Sequence, residues 1–299
     1  MQTLYSMDAM HNQLQPDEAV LVLKKNLEHS KKLFIYLVYF ISEIARYAKT
    51  DALQKSGKHL PTHGDLNINT KIAGNEIIWL VLENKLFTKA VQEYNLPAIV
   101  DSDLVKKLYE SLTNSPQYHA YIVMPSRDKK EERKILEFIF SDIMLPDENF
   151  INHVEEHFMN WDDDGDMMII LMTGFFQKYG AFKFDEIISE EKWEFAKDLL
   201  KCVNDKKDFC LELIKPKLKN WDAERIAALD MILMQMGLCE FLYFETIPPR
   251  VTINEYIDLA KDYSTPQSGH FVNGILDNIH KELLSDNKIH KKNFKNSTL

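Results

Sequence analysis

Residues 231–244 read MILMQMGLCEFLYF, and only Gln235 and Glu240 among them are strongly polar. A helix apolar on nearly every side cannot lie on a surface; it must be surrounded. The segment therefore demands other elements packed around it, and the rest of the chain supplies them with helical spacing. Downstream, Phe271, Val272, Ile275, Leu276, Ile279 and Leu283 recur at steps of three and four. That stripe makes residues 268–279 a helix, although they hold an Asn273-Gly274 pair that between strands would signal a hairpin. Ser268 stands where an N-cap belongs, with Pro266 outside it. A glycine inside a helix costs roughly 1 kcal/mol relative to alanine, so Gly274 predicts the close approach of another backbone. Pro248 and Pro249 close the connection between these two segments. Thr252 and Glu255 then form a T-x-x-E capping pattern for a helix whose core face is Ile253, Ile257 and Ala260.

The remaining stretches read the same way. Residues 27–48 form one amphipathic helix, and 51–74, with three glycines and a proline, form a loop. Further helices are expected over 75–94, 101–113, 129–144, 147–160 and 167–179, punctuated by Pro97, Pro116, Pro125 and Pro146. Ser189 is the expected cap of a helix carrying Trp193, Ala196, Leu199, Leu200 and Val203. Nine glycines and ten prolines in 299 residues are too few for a chain of many tight turns. The class is all-α.

No start resembling a secretory signal is present, and the longest apolar run near the beginning, residues 33–41, is nine residues long. That is far below the roughly 20 needed to span a bilayer, so no membrane association is expected. Cys202, Cys210 and Cys239 show no C-x-x-C spacing, which points to reduced thiols, small core residues and a cytoplasmic location. The net charge of −10 is uneven. Residues 51–190 carry 14 basic and 24 acidic side chains, a net of −10, and the two ends nearly cancel. This acidic middle repels nucleic acid more than the ends do.

Two patterns imitate metal sites. His153 to His157 spell H-x-x-E-H, an inverted zinc-protease spacing, but no third ligand can be named and the segment reads as a solvated helix face. Asn160, Asp162 and Asp164 stand at calcium-loop spacing before Gly165, yet Leu171 occupies the position of the bidentate glutamate, and the stretch reads as a charged turn. No glycine-rich phosphate loop and no G-x-S-x-G elbow occur. The chain is expected to be no enzyme and to need no cofactor.

Residues 221–284 resemble the C-terminal half of the bacterial antitermination factor family NusB. The resemblance lies in Trp221, Arg225, Ile226 and Asp230, in Glu240, in IPPRVTINEYIDLAKDY over 247–263 and in FVNGILD over 271–277. At the other end MQTLYS resembles the family's Q-x-L-Y. Residues 193–220 fit the preceding helix more weakly. The resemblance implies a helical bundle of two packed subdomains with an additional helical insertion. Residues 1–50 would supply the first part, 51–190 the acidic insertion, 191–285 the remainder, and 286–299 a flexible tail.

It also implies a role in transcription antitermination: binding boxA RNA with the small-subunit ribosomal protein NusE, in the RNA polymerase antitermination complex on ribosomal RNA transcripts. Gln2, Tyr5, His270 and Phe271 would face RNA, with Phe271 equally readable as a core aromatic and Tyr5 also readable as a core residue. Arg225 and Asp230 would face the protein partner, or be plain surface charges. Gly274 would let its helix pack closely on the central one, with Asn273 bonding across the junction. Departures are also present. The family's arginine-rich stretch precedes Q-x-L-Y, whereas here QTLY follows Met1 and the first cation is Lys24. That contact is therefore either encoded upstream or lost. Gln235 replaces a family arginine, and His270 stands where lysine is frequent, a weaker phosphate contact at neutral pH. A protein-interaction scaffold using the acidic insertion is the alternative.

Overall fold

A computed structural model describes residues 1–9, 16–218 and 226–292. The described residues are helical throughout, without a strand. Two helices open the chain, α1 (Gln2–Ala9) and α2 (Pro16–Ser56). Eight shorter ones follow: α3 (His63–Leu66), α4 (Glu76–Glu83), α5 (Lys85–Glu93), α6 (Ser102–Thr113), α7 (Pro116–Val123), α8 (Lys129–Phe138), α9 (Glu148–His157) and α10 (Trp161–Lys178). The last five are α11 (Glu190–Asp205), α12 (Lys207–Ile214), α13 (Ala228–Tyr243), α14 (Pro249–Tyr263) and α15 (Ser268–Ser285).

The chain divides into two compact units, Met1–Lys25 with Glu190–Leu299, and Asn26–Ser189. The first division falls within α2, not after residue 50 as the sequence suggested. The reason is burial: Leu33 to Ala48 pack in one core with side chains from Ile72 to Phe184. The nine-residue apolar run at 33–41 is surrounded almost completely, with only Tyr39 half-buried.

In this second unit, short helices restart at polar caps. Asn75, Asn84, Asp101, Ser115, Asp128 and Asp147 each accept backbone N–H groups of the helix they begin. Asn84 explains why the single helix expected over 75–94 is two: its side chain accepts from Leu86 and Phe87 and starts α5. Of the stretch expected as a charged turn, only Asn160 lies in one; residues 161–166 are helical. Asp162, Asp163 and Asp164 lie in the first turn of α10, where negative charge offsets the helix dipole, and Asp164 accepts from Ser30 at 2.5 Å. Glu132 is fully buried and well supplied with donors. It receives Tyr121 Oη at 2.7 Å, Glu76 N–H at 2.8 Å and Arg127 Nη1 at 3.2 Å.

The first unit is arranged around α13, which is buried from Ile232 to Phe241. Two of its carboxylates accept hydroxyl groups from the neighbouring helices, Glu240 from α14 and Asp230 from α15. Glu240 accepts from Thr252 Oγ1 at 2.7 Å and Tyr256 Oη at 2.6 Å. Thr252 is thus no cap: α14 begins three residues earlier, at Pro249, and the hydroxyl turns inward. Lys291 Nζ reaches the carbonyls of Glu240 at 2.6 Å and Phe244 at 2.7 Å, capping the end of α13. Residues 286–292 are therefore held down rather than loose. Ile289 also packs on the core, and residues 293–299 of the expected tail lie outside the described part.

Close packing of α13 and α15 comes from a different glycine than expected. A Cβ on Gly237 would meet Leu276 at 2.9 Å and Tyr256 at 3.4 Å, whereas one on Gly274 would meet nothing within 4 Å. Gly274 and Asn273 face outward. Gly237→Val should therefore lower stability by about 1–3 kcal/mol through overpacking. Gly274→Ala should leave it unchanged or raise it by up to about 1 kcal/mol. Urea unfolding of the two variants checks both. Burial also pushes the Glu240 carboxyl above its usual range, although Tyr256 and Thr252 pull the other way. Folded protein thus binds that proton more tightly than unfolded protein does. Its contribution is full below the usual glutamate range and declines as pH rises through the folded value. The thermal-stability margin of wild type over Glu240→Gln should shrink as the pH is raised from 4 towards neutrality.

Candidate RNA and partner surface

Helix α1 presents two faces set by its period. Thr3, Leu4 and Met7 are buried, while Gln2, Tyr5 and Ser6 point outward, Tyr5 with 49% of its surface exposed. The buried face rests on the first half of α13, where Leu4, Met7 and Asp8 border a small groove with Ile232 and Gln235. Lys207 Nζ, at the start of α12, pairs with Asp8 at 2.8 Å and fixes the other side of α1.

Helix α15 begins against the same half of α13. Ser268 is buried and donates to Asp230 Oδ2 at 2.7 Å. It also accepts the Thr265 N–H at 3.2 Å, so it organises the turn before the helix instead of capping its N–H groups; the cap position belongs to Gln267. A Cβ on Gly269 would meet Lys261 Cγ at 2.9 Å, so the first turn of α15 is drawn tightly onto α14. From that fixed start, Val272, Ile275, Leu276, Ile279 and Leu283 turn inward. His270, Asn273 and Gly274 form an exposed row, and Phe271 is half-buried at the edge of the core.

Of the residues expected to meet RNA, Gln2, Tyr5 and His270 are exposed, and Phe271 has one side in the core. Both pieces are positioned by the first half of α13. The partner candidates fare differently. Arg225 lies outside the described residues. Asp230 is only 5% exposed, and its Oδ1 has no partner among the described residues, so it is no surface charge. Its work is internal: it sits in the first turn of α13 and holds the first turn of α15. Ser268, Lys207 and Lys291 were not singled out from sequence as fasteners. The contacts they make join residues far apart in the chain, and no short-range period marks them.

The metal imitations are accounted for by hydrogen bonds. His153 Nε2 lies 2.7 Å from Tyr36 Oη, half-buried rather than on a solvated face, and His157 Nδ1 lies 2.9 Å from the His153 carbonyl. Burial lowers the His153 pKa, with the neighbouring His157 adding to it. No group of three or more His, Cys, Asp or Glu side chains placed to hold a metal ion occurs among the described residues. No helix among them is long and apolar enough to cross a membrane.

This geometry predicts opposite outcomes for the candidates. Asp230→Ala should lower stability by about 1–3 kcal/mol, because Ser268 loses its buried acceptor. Tyr5→Ala and His270→Ala should each change it by less than about 0.5 kcal/mol. Urea unfolding monitored by circular dichroism separates the three.

Comparison with known proteins gives a consistent result. A family model described as the NusB family matches residues 170–281. The transcription antitermination protein NusB of Salinibacter ruber is 45% identical over 80 residues, 27% of this chain and 50% of that protein. That of Methylacidiphilum infernorum is 40% identical over 95 residues, 32% of this chain and 66% of that protein. That of Desulfatibacillum aliphaticivorans is 41% identical over 99 residues, 33% of this chain and 69% of that protein. The chain thus spans between half and about two thirds of the relatives it matches. No solved structure matches it significantly.

Proposed function

Because this chain belongs to the NusB family, we propose that it is a transcription antitermination factor that binds boxA-type RNA together with a NusE-type ribosomal protein. On this reading it acts in the cytoplasm on ribosomal RNA transcription, as an adaptor in the RNA polymerase antitermination complex, and catalyses no reaction. The observation that carries the proposal is the family match over residues 170–281, which includes the first turn of α15 and the exposed row beside it.

The side chains available there suit unpaired RNA. Tyr5 offers an exposed ring on which a base can stack, and Phe271 is a half-buried aromatic at the edge of the core. Gln2 and His270 supply hydrogen-bonding groups. A Cβ on Gly274 would meet nothing within 4 Å, so a ligand can approach the backbone of α15 closely there. The protein partner would use another part of the family-like unit. Asp230 acts on that surface only indirectly, by fixing α15, and Arg225 remains a candidate for direct contact.

A second reading has its own observation. Residues 1–23 contain no lysine or arginine, and residues 51–190 hold the net charge of −10. Phosphate contacts dominate nucleic-acid affinity, so a surface poor in cations binds RNA weakly. A scaffold that recruits proteins through the acidic unit would fit that balance.

Fluorescence anisotropy with a boxA oligonucleotide at several salt concentrations tests the proposal. The expected outcome is weak binding with a shallow salt dependence, strengthened by NusE. Tyr5→Ala should weaken it by roughly 1–3 kcal/mol if one base stacks on the ring. Binding that is tight, steeply salt-dependent and indifferent to Tyr5 and His270 would place the RNA elsewhere. Absence of binding to both RNA and NusE at tens of micromolar, by a folded sample, would favour the scaffold.

A further inference from the structure

The second unit contains a cavity that the RNA reading does not use. His29 and Lys32 line it from α2, and His157, Phe158, Met159 and Asn160 line it from the end of α9 and the link to α10. Its volume is about 80 Å³, several times what one water molecule needs. Met159 is 86% exposed, so the cavity opens to solvent on that side.

The lining is cationic, although residues 51–190 carry a net charge of −10. His29 and Lys32 stand one turn apart on the same face of α2, and both are half-buried. Lys32 forms no ion pair with a described residue; its ammonium lies 5.4 Å from the centre of the Phe158 ring. A ring face replaces only part of the hydration that a half-buried ammonium gives up, so an anion beside it is favoured. The nearest carboxylates in sequence are placed elsewhere. Asp162, Asp163 and Asp164 do not line the cavity, Asp164 accepts from Ser30, and Glu28 accepts the Tyr94 hydroxyl at 2.9 Å.

The other polar groups narrow the choice of anion. Asn160 precedes α10, but its side chain caps none of that helix's N–H groups and so keeps its amide for a ligand. His157 Nδ1–H donates to the His153 carbonyl at 2.9 Å, so Nε2 is its remaining nitrogen. Neutral His157 can only accept there, and its imidazolium can only donate. A phosphate that still carries a proton donates to the first, and a fully ionised one accepts from the second. Four polar side chains around one small volume also suit a tetrahedral oxyanion better than a carboxylate with two oxygens. Sulfate, without a proton at neutral pH, cannot use neutral His157.

We propose that this cavity binds a phosphate group, free or as the monoester of a small molecule. Lys32 supplies the charge, and His29, His157 and Asn160 supply the surrounding hydrogen bonds. The open side at Met159 leaves room for the ester substituent. These residues lie outside the 170–281 family match, so the proposal stands apart from the antitermination reading.

The test uses the full chain, dialysed free of phosphate, and titration calorimetry at neutral pH and constant ionic strength. The probes are inorganic phosphate, glycerol 3-phosphate and sulfate. Saturable binding of phosphate at one site per chain is expected, with sulfate weaker. Lys32→Met should weaken phosphate binding about tenfold or more, and His29→Gln should weaken it in the same direction. Lys85→Met, whose lysine is exposed on α5, should leave it unchanged. Circular dichroism confirms that each variant is folded, and His29→Gln keeps the test decisive if Lys32→Met does not fold. Glycerol 3-phosphate that binds as well as phosphate identifies a monoester ligand, and binding of inorganic phosphate alone identifies the free ion. The proposal is overturned by absence of saturable binding, by sulfate binding as tightly as phosphate, or by phosphate binding unchanged in both Lys32→Met and His29→Gln.

Discussion

Enclosing α13 on every side is the constraint from which the rest of the first unit follows. An enclosed helix cannot leave polar groups to water, so each one on α13 needs an internal partner. Glu240 receives two hydroxyl donors from α14, Lys291 covers the last carbonyls, and Asp230 takes the Ser268 hydroxyl from α15. These fasteners use residues 12 to 51 positions away. They set where α14 and α15 lie, and with them the exposed row from His270 to Gly274. The surface offered for recognition is thus a consequence of how buried polar atoms are satisfied.

The second unit solves the same problem by other means. Its enclosed segment is the apolar middle of α2, which contributes Tyr36 as its main polar atom, met by His153. Short helices around it restart at Asn, Asp and Ser caps, which places several carboxylates at helix beginnings by structural necessity. Asp101, Asp128 and Asp147 are acidic for that reason, and they account for part of the charge that a reading of composition alone assigns to a binding face. Glu132 plays there the part that Glu240 plays in the first unit, a buried carboxylate joining helices through its donors.

Exposure separates the candidate residues into two kinds. Tyr5, Gln2 and His270 can meet a ligand without cost to the fold. Phe271 and Asp230 serve the fold first: one closes the core edge, the other anchors a helix start. Variants at the second kind would change stability together with any binding, and only the first kind reports on recognition cleanly.

The sequence by itself determined the helical class, the enclosed central helix, the stripe of α15 and the family, because these rest on periods of a few residues or on motifs read in order. Local pattern misled where a residue had a stronger distant partner than a near one. Thr252 fits a capping box but bonds Glu240, Ser268 fits a cap but bonds Asp230, and the H-x-x-E-H histidines are taken by Tyr36 and a backbone carbonyl. Gly274 was expected at a helix crossing that Gly237 occupies, since a glycine's spacing does not say which side of the helix a neighbour will approach. The unit boundary inside α2, the burial of Asp230 and the contact of Cys210 with Cys239 were decided only by tertiary structure. Each depends on which distant side chains share one enclosed volume, and no short-range period carries that information.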